Sequence, residues 1–541
     1  MAIAEVKDIK EFATHHEFTE DIAISNQVDI LELDAIEQTP TGKFVWLVTL
    51  TASIAGALFG YDTGIISAVL VYLGTDLDGQ NMNAGQKEAI TSLCSGGAFF
   101  GAIMAGLTAD KYGRKAGIYV GCALFTIGAI LQGAAYTFAQ MCVGRLIVGF
   151  GVGSAAMIAP LYIAEIAPTK YRGSMIGLNN MSITGGQVIS YAIGAGFAHV
   201  PNGWRSPTLD MVGLGGVPSI ALACLLPFCP ESPRQLIFRG REDEAKKVFA
   251  RVFHAATEEQ INNKIRLIKS SIEQDLTVTE GKTRWRLIKE LHTVPRNLRA
   301  LVVACGLMVI SQMSGFNTLM YYSSTLFALV GFSNPTAVGL VVAGTNFVMT
   351  AINGFVVDPW GRRKVLVTLS WGMSAGLLAV AVAFIYIPIN TGTLELEQST
   401  VSTAAVVVLV FIIWFVVFYG VTVGNTAWMS TDFFSQEVRS MGTMWLTCSC
   451  WASNVIVSST FLTQMHSLTP CGTFGFYTAI CFIGWLLIIF FYPEVSGLTI
   501  DETTEVFDKP TFKMVSEARK LRNERRAAGQ LLKVEKSMGG H

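Results

Sequence analysis

The sequence predicts an all-α membrane protein with twelve transmembrane helices in two pseudo-symmetric six-helix halves. Composition gives the first indication, because 51% of the 541 residues are hydrophobic and only 15% are charged, which is unusual for a chain of soluble domains. Internal repetition gives the second, because three short charged motifs recur in the same order in both halves. Such recurrence is expected of membrane proteins built from parallel structural repeats.

About twelve apolar runs are long enough to cross a hydrocarbon core of about 30 Å as helices. Their predicted limits are 44–72, 88–108, 116–136, 139–165, 174–198, 209–228, 299–330, 336–358, 365–388, 402–430, 440–464 and 473–492. The long break at 229–298 has amphipathic helical patterns, so we expect a cytoplasmic helical linker between a first half, 43–228, and a second half, 299–492. Residues 1–42 are acidic and are predicted to be a disordered tail. Residues 493–541 form a basic tail that either lies on anionic lipid or is a solvated helix.

The repeated motifs are short charged segments that follow or precede apolar runs. The two copies are Gly106–Lys115 (GLTADKYGRK) with Gly354–Lys364 (GFVVDPWGRRK), Glu165 and Arg172 with Asp432 and Arg439, and Pro230–Arg234 (PESPR) with Pro493–Gly497 (PEVSG).

Basic residues in the short connections predict the orientation, because cytoplasmic loops carry an excess of lysine and arginine. With the N-terminus inside, the inner loops contain Lys111, Arg114, Lys115, Lys170, Arg172, Arg362, Arg363, Lys364 and Arg439. Both termini are therefore predicted to be cytoplasmic, in a multi-pass protein of the cell membrane.

The net charge of −1 offers no overall basic surface for nucleic acid. Nearly all ten cysteines fall in apolar runs, so no extracellular disulfide framework is expected.

Read together, the motifs resemble those of the sugar porter family of the major facilitator superfamily. The set comprises the three repeated pairs together with Gly60–Gly64 (GYDTG), Gly144–Gly153 (GRLIVGFGVG), Pro160–Gly173 (PLYIAEIAPTKYRG) and Ser311–Asn317 (SQMSGFN). Within that family, Thr184–Gln187 (TGGQ) and Gly424–Trp428 (GNTAW) are most similar to the myo-inositol transporters of fungi and plants. The resemblance implies transport by alternating access between two six-helix halves.

Asp62 lies deep in the first apolar run, where an ionised carboxylate is costly. Arg145 lies in the fourth run at a similar predicted depth, since each residue of a helix adds 1.5 Å. Proton-coupled members of the family similarly carry Asp at the position of Asp62, so the resemblance implies proton symport through this pair. The alternative is a fixed ion pair that joins two helices.

An uncharged molecule rich in hydroxyls needs neutral hydrogen-bonding groups and a flat apolar surface. Asn180 and Gln187 share one helix face, as do Asn317 and Tyr321, whereas Gln312 joins the latter pair only if the helix breaks near Ser314 and Gly315. The resemblance places substrate contacts at Asn180, Gln187, Gln312, Asn317, Asn346, Trp428, Trp451 and Asn454. For each amide the alternative is an interhelical hydrogen bond, and for the tryptophans it is ordinary packing.

Departures from the usual family pattern favour a cyclic polyol over a standard hexose. Ser311 replaces an amide, Cys450 stands where an amide is common, and Gly424 begins a segment that is usually rich in proline. Arg145 is the only intramembrane cation expected, which argues against anionic substrates because they need an Arg or Lys clamp.

Charged residues at the inner helix ends are the last set of candidates. By resemblance they form a cytoplasmic gate of ion pairs that is closed when the site faces outward; singly they are worth about 0–1 kcal/mol, and the alternative is a role in topology alone. They are Asp110, Arg114, Glu165, Arg172, Glu231 and Arg234 in the first copy, and Asp358, Arg362, Asp432, Arg439 and Glu494 in the second. Asp432 and Ser435, for the usual Glu and Pro, make the second copy the less regular one.

The leading hypothesis is proton symport of myo-inositol or a related polyol by a monomer in the lipid bilayer, with the proton as coupling ion and no cofactor or metal. The alternatives are a proton-coupled or passive hexose carrier and a sugar sensor that binds without transport. A membrane enzyme is not expected, because the apolar runs contain no nucleotide loop, metal-ligand cluster or nucleophile with a base.

Overall fold

The computed structural model describes residues 35–197, 211–279, 284–390, 395–396, 403–435, 437–496, 498 and 500–524. The helices of the first half are α1 Lys43–Tyr72, α2 Ala84–Tyr112, α3 Arg114–Gly133, α4 Phe138–Ile166, α5 Arg172–Gly196 and α6 Gly216–Leu225. The linker helices are α7 Pro233–Phe238, α8 Glu242–Val252, α9 Glu258–Thr279 and α10 Arg284–Thr293. The remaining helices are α11 Pro295–Met313, α12 Phe316–Leu329, α13 Pro335–Trp360, α14 Arg362–Leu369, α15 Trp371–Ile385, α16 Thr403–Val421, α17 Val423–Thr426, α18 Arg439–Ser467, α19 Thr469–Phe491 and α20 Ile500–Asp508.

The order of the helices confirms the predicted all-α membrane fold. Within the described residues, nine helices or joined helices are long and apolar enough to cross a membrane. The stretch 213–228 and the helices α5 and α18 occupy the positions of the other three predicted spans, which is consistent with twelve. Helices α5 and α18 are 25 and 29 residues long and carry more polar side chains than the others. A two-residue antiparallel pair, Ile389–Asn390 with Glu395–Leu396, is a small departure from all-α structure.

Three predicted spans are interrupted rather than continuous. Helix α11 ends before Ser314, and α12 begins after Gly315, whose φ is +88°. Ser370 separates α14 from α15, and Thr422 separates α16 from α17. Interruptions of this kind are tolerated at membrane depth where the freed backbone groups are buried in protein.

The described residues of the two tails are largely helical and pack on the protein, whereas the sequence predicts a disordered N-terminal tail and a C-terminal tail that either lies on lipid or is a solvated helix. Residues 35–38 form a 3₁₀ helix, and Ile36 is fully buried against the linker. Glu37 pairs with Lys264 of α9 at 2.9 Å. The C-terminal tail packs on the second half through α20 and a helical stretch at 514–524, with Val506 and Met514 fully buried. Burial of apolar side chains therefore orders both segments.

Helices α2 and α4 pack closely enough that their backbones touch. A Cβ added at Gly149 of α4 would lie 2.1 Å from the carbonyl oxygen of Cys94 in α2, and one added at Gly97 of α2 would lie 2.3 Å from the carbonyl oxygen of Leu146. Small residues allow such approach between membrane helices. This seam fixes the position of α2 beside α4.

The Gly113 and Gly361 turns lie at one end of the bundle, which we call the basic end. Hydrogen bonds join the two halves at the opposite end. Ser67 donates to Ser324 at 3.0 Å, and Tyr191 lies 2.6 Å from the hydroxyl of Ser323. The buried Glu88 carboxylate accepts hydrogen bonds from the Thr463 amide at 2.8 Å and hydroxyl at 2.6 Å. The halves are therefore held together at the end opposite to the basic end.

We expect Gly149→Ala to lower the thermal stability of the detergent-purified protein, because the added methyl overlaps the Cys94 backbone and overpacking costs about 1–3 kcal/mol. Gly306→Ala in α11 is the matched control, since a Cβ there meets no atom within 4 Å. Equal unfolding temperatures for the two variants would contradict the close packing of α2 and α4.

Candidate functional site

A buried ion pair joins the first and fourth spans. Arg145 Nη1 of α4 lies 2.6 Å from Asp62 Oδ1 of α1, and the side chains are 1% and 8% exposed. Arg145 Nε also donates to the carbonyl oxygen of Ile90 in α2 at 3.1 Å, while its buried Nη2 has no hydrogen-bond partner. The second carboxylate oxygen of Asp62 accepts a hydrogen bond from the Cys94 thiol at 3.1 Å. The charge of Asp62 is thus balanced by one cation and one weak donor.

Uncharged amides meet between the halves. Asn346 of α13 donates from Nδ2 to Oε1 of Gln187 in α5 at 3.2 Å, and both side chains are 4% exposed. This contact makes Gln187 and Asn346 one hydrogen-bonding unit shared by the two halves.

The break in the seventh span brings Gln312 to Asn317. On a straight helix these side chains would point in different directions, but the left-handed backbone at Gly315 redirects α12, a conformation that glycine adopts without strain. Asn317 Nδ2 then donates to Gln312 Oε1. The helix break near Ser314 and Gly315, which Gln312 needs in order to join Asn317, is therefore present.

A second polar group surrounds Asn454 of α18. Ser95 of α2 donates to Asn454 Oδ1 at 3.2 Å, and Tyr321 of α12 lies close to both residues. The neighbouring Trp451 packs edge-on against Phe59 of α1, with ring centroids 5.2 Å apart. Asn454 Nδ2 and Trp451 Nε1 are buried without a hydrogen-bond partner. Buried donors of this kind are suited to a ligand rich in hydroxyls.

Asn180 and Trp428 are less closely integrated than the other predicted contacts. Both are half-buried; Trp428 lies in the 3₁₀ helix Ala427–Phe433 and packs against the core of the second half. In the described structure, no hydrogen bond or ring contact joins either side chain to the amides above.

At the basic end, each charge cluster pairs within its own half. Arg114 lies 2.7 Å from Glu165, and Arg362 and Arg439 lie 2.8 and 3.0 Å from Asp432. The second copy, which looks less regular in sequence, thus bridges two arginines with one carboxylate.

Two further acidic members of the gate set, Glu231 and Glu494, bind backbone amides at the glycine turns. Glu231 accepts from the amide of Arg114 at 3.1 Å, and Glu494 accepts from the amide of Arg363 at 2.8 Å. Burial raises the pKa of the adjacent Tyr492, so its hydroxyl stays protonated.

Four further predicted gate residues are Arg172, Arg234, Asp110 and Asp358. Arg172 and Arg234 are exposed, and the ion pair of Glu165 is formed with Arg114 rather than with Arg172. The side chains of Asp110 and Asp358 lie outside the described part of the chain.

Sequence reasoning missed the polar residues of α2 and their partners. Glu88, Cys94 and Ser95 each contact a functional or opposing helix, yet small or single polar residues in an apolar run resemble ordinary core residues. The signal that was available is the spacing of Glu88, which precedes the adjacent Cys94 and Ser95 by about two helical turns on α2.

Removing one member of the buried pair should destabilise the protein more than removing both. Asp62→Ala leaves Arg145 buried without its counter-charge, and we expect a loss of about 3–5 kcal/mol. The double variant Asp62→Ala/Arg145→Leu removes both charges and should recover much of that loss. Thermal unfolding of the purified protein measures the difference; a double variant less stable than Asp62→Ala would contradict the interpretation.

Comparisons with known proteins agree on one family. Residues 48–507 match the family described as "Sugar (and other) transporter". The chain is 41% identical over 465 residues to "Myo-inositol transporter 1" of Saccharomyces cerevisiae, which covers 86% of this chain and 79% of the relative. It is 39% identical to "Myo-inositol transporter 1" of Candida albicans, which covers 93% of this chain and 90% of the relative.

The fold is also shared with solved structures. The inward-open xylose transporter XylE from E. coli superposes with a TM-score of 0.69 at 22% identity, over 85% of this chain and 99% of that one. This likeness confirms the transporter fold that the sequence motifs indicate. The protein is a multi-pass membrane protein and belongs to the family described as "Sugar (and other) transporter".

Proposed function

We propose that this protein is a secondary active transporter that moves myo-inositol or a related neutral polyol together with protons by alternating access. The observation that carries the proposal is the buried Asp62–Arg145 pair, 2.6 Å apart in the membrane-spanning bundle. A carboxylate held at that depth by a single cation is a site where protonation changes the contacts between helices.

The geometry supports a specific role for each member of the pair. A proton arriving on Asp62 removes the charge that Arg145 Nη1 contacts, which weakens the link between α1 and α4. Arg145 keeps its hydrogen bond to the Ile90 carbonyl oxygen, so it stays anchored to α2 while α1 is released. Neutralisation therefore favours rearrangement without leaving the guanidinium wholly unpartnered.

A neutral polyol is the substrate class that the central side chains favour. Gln187, Asn346, Gln312 and Asn454 supply uncharged donors and acceptors, and Trp451 supplies a flat apolar ring. In the described part of the chain, the buried cations are Arg145, held by Asp62, and Arg114, held at the basic end. An anion would need a cation of its own. The relatives named myo-inositol transporters, at 39–41% identity, support inositol within this class.

The contacts between the halves support alternating access. In this structure the end opposite to the basic end is closed by the Glu88–Thr463 and Ser67–Ser324 hydrogen bonds, while the ion pairs of the basic end are formed within each half. We infer that these two hydrogen bonds break in the other state of the transport cycle. In that state the charged residues of the basic end form ion pairs between the halves instead. A network present in one state only shifts the population between states.

The remaining parts of the proposal follow from the chain's organisation. Two functional halves, 43–228 and 299–492, move about the helical linker at 229–298. The protein acts as a monomer in the cell membrane. Both termini lie in the cytoplasm, because the basic loops lie at the same end as the linker. The proton is the only ion that the mechanism uses, and it needs no cofactor, metal or enzymatic step.

The transport proposal predicts that purified protein in proteoliposomes accumulates labelled myo-inositol when the outside is made acidic, and equilibrates it when no gradient is imposed. Asp62→Asn should lose accumulation but retain exchange of inositol across the membrane, since the amide still accepts from Arg145 and cannot carry a proton. Retained accumulation in Asp62→Asn would remove Asp62 from the coupling role.

Labelled glucose is the parallel substrate for that assay. Concentrative glucose uptake without inositol uptake would replace inositol by a hexose, whereas binding of either compound without uptake would indicate a sensor. Inositol uptake with no dependence on the pH gradient would leave a passive carrier.

The substrate assignment predicts that Gln187→Ala raises the KM for inositol about 3–10-fold, the loss expected for one hydrogen bond of about 0.5–1.5 kcal/mol. Gln464→Ala is the matched control, because Gln464 is an amide near the end of α18 that bonds to Thr460. Equal KM values in the two variants would place Gln187 outside the substrate site.

A further inference from the structure

Helix α2 is the structural element that touches both the ion pair and the opposite half. Its Ile90 carbonyl oxygen accepts from Arg145, and its Glu88 carboxylate is bonded to Thr463 of α18. Cys94 and Ser95 lie beyond these contacts on α2. They are adjacent in sequence and therefore point about 100° apart on the helix. One faces the ion pair, and the other faces the second half.

Cys94 is held against Asp62 by packing as well as by a hydrogen bond. Its thiol donates to Asp62 Oδ2 at 3.1 Å, its side chain is buried, and Gly149 of α4 approaches its carbonyl oxygen directly. A thiol is a weak donor, but a donor to an ionised carboxylate is strengthened by the charge. The contact therefore joins α2 to the same carboxylate that pairs with Arg145.

Ser95 connects the same turn of α2 to the proposed substrate site. Its hydroxyl donates to Asn454 Oδ1 at 3.2 Å, and both residues are almost completely buried. Asn454 Nδ2 is buried without a hydrogen-bond partner, so Ser95 and the nearby Tyr321 constrain this amide while one of its donor groups remains unused.

The titratable and charged groups around Cys94 come from three helices. They are Asp62 of α1, Arg145 of α4, with Cys142 one turn away from it on the same helix, and Tyr321 of α12. Glu88 lies farther along α2 and is bonded to Thr463. Asp62 is thus the only carboxylate that the described structure places against the thiol.

We propose that Cys94 and Ser95 are positioning residues that transmit the protonation of Asp62 to the substrate-site amide Asn454. This inference rests on the proposed proton-coupled transport. When Asp62 is ionised, the thiol holds α2 against α1 and Ser95 holds the Asn454 amide. When Asp62 is protonated, the thiol loses a charged acceptor, α2 is released from α1, and the Ser95–Asn454 contact changes with it. By linkage, substrate bound at Asn454 alters the proton affinity of Asp62 by the same factor.

The test measures inositol uptake into proteoliposomes as a function of external pH, using full-length protein. Cys94→Ala removes a donor from the ionised carboxylate, so protonation becomes easier and the midpoint of activation should move to higher pH by about 0.5 unit, as expected for a weak hydrogen bond. Cys94→Ser keeps a donor, and its midpoint should stay at or below that of the wild type. Cys122→Ala, a buried free cysteine in the same half, should leave the midpoint unchanged.

Ser95 is tested by the pH dependence of the KM for inositol. Ser95→Ala should make the KM the same at low and high pH, while the midpoint of activation measured at inositol concentrations well below the KM stays near that of the wild type. Ser95→Thr keeps the hydroxyl and should retain the pH dependence of the KM.

The outcomes separate this inference from the proposed function. A wild-type protein without pH-dependent inositol uptake would overturn the proposed function itself. If the wild type is pH-dependent, a midpoint for Cys94→Ala equal to those of Cys94→Ser and Cys122→Ala would overturn the role of Cys94. A KM for Ser95→Ala that keeps its pH dependence would overturn the role of Ser95. If Cys94→Ala does not fold, Cys94→Ser and the Ser95 pair still decide between transmission and plain packing.

Discussion

The buried ion pair between Asp62 and Arg145 is the constraint on which the rest of the structure depends. An ionised carboxylate inside a membrane-spanning bundle is tolerated only when a partner and further donors compensate for lost hydration. Arg145 provides the charge, Cys94 provides a donor, and the Ile90 carbonyl oxygen occupies another nitrogen of the guanidinium. The close α2–α4 packing lies in the same region, since Gly149 of α4 approaches the backbone of Cys94.

The polar groups between the halves divide into two functional kinds. Near the centre, the amides of Gln187, Asn346 and Asn454 have partners across the halves, and Asn454 Nδ2 is a buried donor without a partner, which suits a ligand that exchanges hydrogen bonds. Toward the end opposite to the basic end, Glu88 and Ser67 are fully engaged with the other half. The Glu88 and Ser67 contacts stabilise one conformational state, whereas the contacts of the central amides respond to bound substrate.

Part of the site could be predicted from the sequence, because it depends on residue type and on spacing along one helix. A carboxylate and a guanidinium in apolar runs at similar depth have few partners except each other, and Asn317 with Tyr321 follow from helical spacing. The gate was anticipated less well. Exposed charges have many partners of similar energy, so the sequence did not show that Glu165 would pair with Arg114, or that Asp432 would bridge two arginines.

The sequence by itself determined the membrane class, the order of the spans, the repeat and the family, since hydrophobicity, charge motifs and glycine turns are properties of residue type and spacing. Tertiary structure alone decided that Cys94 faces Asp62, that Ser95 reaches Asn454, and that the terminal segments pack on the protein. The physical reason is that cysteine and serine fit a packed core and a polar contact equally well, and that isolated apolar side chains do not indicate which surface they pack against. Only the approach of a second helix, here permitted by Gly149, selects between those roles.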